Sequence, residues 1–218
     1  MITIYMQSYE DCLPREKYKI EHSLGRSLLS MGLKELFAIH IPPHLLENAL
    51  IKNPYGKPAL KDYPGIYFNI SHCSGLAACA FANEDIGMDL EQIHAFSPSI
   101  LKKVLTQGEQ KFLDQFKDVP SLYEECFIRF WTLKESVIKQ SGMGLSMPLT
   151  EFSFTLSLGT CPPGIRCSRE GLYFYQEKLE PDYILSVCSP VPVPKIQVIR
   201  QHYDPNHPKD PFISSHTR

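Results

Sequence analysis

The alternation of apolar and polar positions divides the chain into short strands set around two helical stretches. Ile2-Thr3-Ile4-Tyr5-Met6-Gln7 reads as an opening strand. Leu13-Pro14-Arg15-Glu16 carries a helix-start signal, Pro near the first turn with an acid beside it. Ile20, Leu24, Leu28, Leu29, Leu33, Leu36 and Phe37 then recur at helical spacing. Pro42-Pro43-His44 and Asn53-Pro54-Tyr55-Gly56-Lys57-Pro58 break the chain. Strands over 66–70 and 76–82 flank the loop Ser71-His72-Cys73-Ser74-Gly75, and a turn at Asn83-Glu84-Asp85 leads into a third, 86–91. This predicts a meander of three, and the small residues of its middle strand predict close packing under helices. From Ser97 to Gln140 the pattern is helical: a start at Ser97-Pro98, a second helix from Gln110 to Phe116, and a third from about Leu122 to Gln140, ended by Gly142. Strands follow over 152–156, 172–175 and 183–187, and near 196–199, before a proline-rich loose tail. That order predicts an α+β fold with mostly antiparallel pairing.

Composition narrows the chemistry. The 218 residues, 43% hydrophobic and 21% charged, suffice for one large domain or two small ones with a real core. A net charge of −2 leaves no electrostatic footprint for nucleic acid. No apolar run approaches a membrane span, and the N-terminus reads as a strand and not a signal peptide. Seven cysteines, an odd number without a C-x-x-C pair, argue against zinc and for reduced thiols in a cytosol.

The chemistry-bearing stretch is Ile86-Gly87-Met88-Asp89-Leu90-Glu91. Strand side chains alternate faces, so Asp89 and Glu91 share one, roughly 6.6 Å apart along the backbone. Two such acids repel unless a cation sits between them, and hard oxygen ligands suit Mg²⁺. On the long predicted helix, Trp131, Glu135 and Lys139 lie one turn apart along a single stripe, with Lys134 beside them. Each feature alone has an ordinary reading. Glu135 and Lys139 make a routine helix pair, and the two strand acids can run into a solvated turn. Lys57 is then a wet loop lysine, and Arg15, Lys17, Lys19, His22 and Arg26 a solvated helix face. Ser71 and His72 are adjacent, and adjacent residues rarely face each other as a nucleophile and its base.

Taken together, Tyr55-Gly56-Lys57-Pro58, Phe68-Asn69-Ile70-Ser71-His72, Ile86-Gly87-Met88-Asp89-Leu90-Glu91 and Phe130-Trp131-Thr132-Leu133-Lys134-Glu135-Ser136-Val137-Ile138-Lys139 resemble the Sfp-type 4′-phosphopantetheinyl transferases. Leu24-Gly25-Arg26 and Gly142-x-Gly144-Leu145 fit the same pattern, in the same order, between about residues 15 and 155. The resemblance implies a pseudo-dimer of two similar α+β halves, each with a long helix, with coenzyme A bound between them. The halves would be 1–92, carrying the first two metal acids, and 93–202, carrying the third and the carrier-protein docking face. Residues 203–218 would be the loose tail.

The activity implied is transfer of the 4′-phosphopantetheine arm of coenzyme A to a serine of an apo acyl or peptidyl carrier protein. It would be Mg²⁺-dependent, with Mn²⁺ as a substitute, in a cytoplasmic monomer. Asp89, Glu91 and Glu135 would hold the metal. Lys57, His72, Lys134 and Lys139 would meet phosphates, and Ser71 the 3′-phosphate region. Lys17, Lys19 and His22 stand where the family's first helix often carries arginine. Gly56 and Pro58 would line the adenine side, and Glu109 would help with the serine's proton. Lys102, Lys103 and Lys111 are candidates for docking an acidic carrier, or equally solvated helix lysines. Two other classes stay open: a coenzyme A or carrier-protein binder with weak turnover, and a different Mg²⁺-dependent enzyme that cleaves diphosphates.

Overall fold

The protein is described here by a computed structural model covering residues 1–10, 14–157, 164–193 and 195–202. The expected tail at 203–218 lies outside the described residues. In chain order the elements are β1 (Ile2–Ser8), α1 (Pro14–Phe37), α2 (Leu46–Ala49), β2 (Leu50–Lys52), β3 (Pro58–Leu60), β4 (Tyr67–Cys73), β5 (Leu76–Ala82) and β6 (Gly87–Gln92). They continue with α3 (Leu101–Val104), α4 (Gln107–Leu113), α5 (Pro120–Ser141), β7 (Phe154–Ser157), β8 (Gly164–Cys167), β9 (Tyr173–Leu179), β10 (Tyr183–Ser189) and β11 (Ile196–His202). The predicted α+β class with mainly antiparallel pairing holds. Among the described residues, no helix is long and apolar enough to cross a membrane.

Contacts divide the chain into two units. Among the described residues, the first comprises those of 1–54, 58–85 and 195–202, the second those of 55–57 and 86–193. The expected halves, 1–92 and 93–202, differ from these units in where they place β6 and β11.

The first unit is built on a four-stranded sheet in the order β11-β1-β5-β4, with β1 parallel to β11 and the other pairs antiparallel. The expected small-residue strand is β5, where Ala77, Ala78, Cys79 and Ala80 are fully buried. Helix α1 covers it with Leu24, Leu28, Leu29 and Leu33, the stripe read from the sequence. Gly32 lets the helix lie close, because a β-carbon there would overlap the Phe81 ring.

The second unit sets α5 against a three-stranded antiparallel sheet, order β6-β10-β9. The predicted meander is therefore corrected. Strand β5 pairs with β4, whereas β6 leaves that sheet and pairs with β10, Asp89 opposite Ser186. Local apolar pattern marks a strand but does not name its partner, and β6 finds its partner from far along the chain. Helix α5 is held to this sheet by buried polar bonds as well as apolar packing. The Thr132 and Ser186 hydroxyls share a hydrogen bond of 2.8 Å. The Gln176 amide donates to the Arg129 carbonyl and to Ser186 Oγ, both at 2.9 Å. Left-handed Gly142 (φ 65°) ends α5, donating to the Ile138 carbonyl.

Candidate active site

Gly87 brings β6 against the backbone of α5. Gly87, Asp89 and Glu91 occupy one face of β6 by strand alternation. At the Gly87 end that face touches α5 directly: a β-carbon there would overlap the Ser136 carbonyl oxygen and the Gln140 backbone nitrogen. With strand and helix in backbone contact, the next residue along the face, Asp89, comes under the stripe of α5 that carries Glu135 and Lys139. Lys139 Nζ donates to Asp89 Oδ1 at 2.7 Å. Lys57, in the turn that belongs to this unit, ties the same junction from the other side. Its ammonium donates to the carbonyls of Gln140 (2.8 Å) and Ile86 (3.2 Å). The expected phosphate contact of Lys57 thus meets a different finding, an ammonium committed to backbone oxygens near the negative end of α5.

Electrostatics shows that the three acids share one neighbourhood. Burial, then the charge of Asp89, raises the pKa of Glu91, against relief from the Gln92 N–H, His94 and Lys139. Burial, then Asp89, raises that of Glu135, with Lys139 opposing and Glu91 adding. A carboxyl with a raised pKa is penalised when ionised, so at neutral pH the cluster gains from any added cation. Three hard carboxylate oxygen donors of this kind fit Mg²⁺. They are not closed around a point as they stand: among the described residues no group of three or more His, Cys, Asp or Glu side chains forms a ready metal cluster. The ammonium of Lys139 holds one oxygen of Asp89 instead.

Two expected site residues lie elsewhere. Lys134 is fully buried, and its ammonium donates to the carbonyls of Leu149 (2.7 Å) and Phe152 (2.8 Å) and pairs with Glu109 Oε2 at 3.0 Å. Neighbouring helix positions point about 100° apart. A lysine beside half-buried Glu135 is therefore turned into the core, and the phosphate role for Lys134 is corrected. Burial lowers its pKa, with Glu109 opposing. Glu109 is 2% exposed, with its oxygens accepting from the backbone N–H groups of Thr106 and Phe154, each at 2.7 Å. It is the third residue of a capping box at the start of α4, so its proton-handling role is corrected as well. The signal was present in the sequence, since Thr106-Gln107-Gly108-Glu109 is a T-x-x-E helix start.

In the first unit, Lys19 and His22 are exposed and Lys17 half-buried on α1. Tyr18 stacks on His22, ring centroids 5.9 Å apart. Partial burial, then Arg26 and Lys52, lowers the pKa of His22. Ser71 is buried, whereas His72 is exposed and carries an ion-pair contact to Glu21, a residue the sequence reading passed over. Glu21 falls on the stripe of Leu24 and Leu28, and that position was the signal: an acid on the buried side of a helix. Gly56 takes a left-handed conformation (φ 93°) in an exposed turn, and Pro58 opens β3.

The profile of the 4′-phosphopantetheinyl transferase superfamily matches residues 85–188, which include all three acids and Lys139. The 4′-phosphopantetheinyl transferase Sfp of Bacillus subtilis is 36% identical over 140 residues, 63% of this chain and 61% of that protein. The 4′-phosphopantetheinyl transferase gsp of Aneurinibacillus migulanus is 32% identical over 168 residues, 75% of this chain and 68% of that one. The chain belongs to the 4′-phosphopantetheinyl transferase superfamily. Among solved structures, the holo-[acyl-carrier-protein] synthase of Thermotoga maritima is similar over 48% of this chain and 61% of that one, with a TM-score of 0.36 and 17% identity. The matched region of this superfamily member spans about 61% of the length of the Bacillus subtilis protein.

Proposed function

We propose that the protein transfers the 4′-phosphopantetheine moiety of coenzyme A to a serine hydroxyl of an apo acyl or peptidyl carrier protein. In this reaction the serine oxygen forms a bond to the phosphorus attached to pantetheine. The bond from that phosphorus to the bridging oxygen breaks, 3′,5′-ADP leaves with the electron pair, and the serine proton passes to base. The reading rests on one observation: Asp89, Glu91 and Glu135 share an electrostatic neighbourhood around Lys139, inside the region that matches the superfamily.

Asp89, Glu91 and Glu135 are the residues that would hold Mg²⁺, or Mn²⁺ in its place. When bound, the metal supplies positive charge to the diphosphate and to the departing oxygen. Lys139 is the chain's own contribution to that charge and is poised to pass from Asp89 to a phosphate oxygen. Lys17, Lys19, His22, Ser71 and His72 are assigned to the remaining phosphates, and Gly56 and Pro58 to the adenine side. Exposed Lys102, Lys103 and Lys111 suit an acidic carrier surface. The enzyme is proposed to act as a cytoplasmic monomer.

Incubating the protein with coenzyme A, Mg²⁺ and a panel of apo carrier proteins tests this by mass spectrometry. One phosphopantetheine should be added per carrier, and Asp89→Ala should reduce the rate by at least about a thousandfold, as expected when an electrostatic anchor of phosphoryl transfer is lost. A wild-type protein that modifies none of the panel would sink the proposal.

A further inference from the structure

Three strands of the second unit carry a row of polar side chains beneath α5. Gln176 on β9 pairs with Ser186 on β10, and Ser186 pairs with Asp89 on β6. Directly opposed residues of antiparallel strands point to the same face, so the three side chains stand side by side. Helix α5 meets each of them in turn: Arg129 bonds Gln176, Thr132 bonds Ser186, and Lys139 bonds Asp89. Glu135 lies on α5 between Thr132 and Lys139, about one turn from each.

The first two contacts are interior, since Thr132, Gln176 and Ser186 are at most 1% exposed. One assignment of protons gives every donor an acceptor. Arg129 Nη1 donates to Gln176 Oε1 at 2.9 Å, which turns the amide nitrogen toward the Arg129 carbonyl and Ser186 Oγ, both at 2.9 Å. Ser186 then gives its own proton to Thr132 Oγ1 at 2.8 Å, and Thr132 gives its proton to the Ile128 carbonyl at 3.0 Å. Glu125 Oε1 holds the rest of the guanidinium, 2.9 Å from Arg129 Nε and 2.8 Å from Nη2.

Stability alone does not ask for this row. Replacing both partners of a buried hydrogen bond by apolar groups of the same shape can be nearly neutral, and α5 already packs through Phe130, Leu133 and Val137. What the row adds is position. Apolar contacts tolerate a sliding helix, whereas hydrogen bonds hold only within a narrow range of distance and angle. A slip of α5 by one residue moves its side chains roughly 1.5 Å along the axis and 100° around it. That would break the bonds to Gln176 and Ser186 together, and the same slip would carry Glu135 and Lys139 away from Asp89.

We propose that Thr132, Ser186 and Gln176 are positioning residues for the metal site: their bonds fix the register of α5 on the sheet, so that Glu135 and Lys139 arrive at Asp89. The inference rests on the function proposed above and adds residues that themselves touch neither metal nor substrate. Two substitutions at one position separate register from packing. Thr132→Val keeps the shape and loses the hydroxyl, whereas Thr132→Ser keeps the hydroxyl and loses a methyl group. Calorimetric titration of Mg²⁺ with coenzyme A present should show affinity about tenfold weaker in Thr132→Val, the scale seen when a residue supporting a metal ligand is changed. Thr132→Ser should stay within about twofold of the parent. A role in packing alone predicts the reverse order.

A metal-free readout comes from the contact of β6 with α5. A β-carbon on Gly87 would overlap the Gln140 backbone nitrogen, so the Gly87 α-protons and the Gln140 amide proton should give a nuclear Overhauser contact in the parent and in Thr132→Ser. That contact should be lost in Thr132→Val. Should Thr132→Val not fold, Ser186→Ala removes the same bond from the sheet side and carries the same expectations. A retained Gly87–Gln140 contact, an unchanged Mg²⁺ affinity, or a Thr132→Ser protein that loses as much as Thr132→Val would each overturn the proposal. A parent that binds no Mg²⁺ with coenzyme A present would sink the functional reading instead, and the Gly87–Gln140 contact alone then decides whether the row sets the register of α5.

Discussion

Gly87→Ala should lower stability by about 3 kcal/mol, the upper range for forcing atoms into a packed interior. For a chain of this size that is near 10 °C in melting temperature. The new methyl group would overlap the Ser136 carbonyl oxygen and the Gln140 nitrogen, which are backbone atoms that no rotamer change can move aside. Relief requires β6 to shift away from α5, and that shift also parts Asp89 from Lys139, now 2.7 Å apart. Stability and transfer activity should therefore fall together, read by thermal melting and by the carrier-modification assay. A Gly87→Ala protein melting within about 2 °C of the parent, under 1 kcal/mol at this size, would mean that β6 does not rest on the α5 backbone.

Glu109→Ala should destabilise the protein by about 3–5 kcal/mol, because it strands the Lys134 ammonium inside the second unit without its counter-charge. It also removes the acceptor that caps α4 and holds the Phe154 N–H. The double variant Glu109→Gln with Lys134→Met separates structure from catalysis. With the two charges removed together it should recover most of the lost stability. It should also transfer phosphopantetheine at a rate close to that of the wild type. Were Glu109 the group that takes the serine proton, the double variant would be folded and inactive. Chemical denaturation and the transfer assay on both variants distinguish the two.

These residues also show where the sequence could be read and where it could not. The face shared by Asp89 and Glu91 follows from strand alternation, and the stripe of Trp131, Glu135 and Lys139 from helical spacing. Both are local, period-driven features that apolar pattern exposes directly. The long helix was placed within two residues of its observed span at either end, since proline and glycine punctuate it. The partner of β6 was not legible, because pairing with β10 is a choice among strands with similar patterns. Lys134 was misread for a related reason. Its sequence neighbours are functional-looking, while its bonds go to Glu109, Leu149 and Phe152, brought in by the fold. Glu109 itself was decipherable from its T-x-x-E cap, and Glu21 from its place on an apolar stripe. In both cases an acid on a helix owed its burial to a bond that the sequence only hints at.

The most direct measurement is calorimetric titration of Mg²⁺ into the protein with coenzyme A present, repeated on Asp89→Ala, Glu91→Ala and Glu135→Ala. The account predicts one equivalent of metal bound by the parent and a loss of affinity of at least about tenfold in each variant, the scale of a single coordinating or charge-paired contact removed. Unchanged Mg²⁺ affinity across all three variants would contradict it.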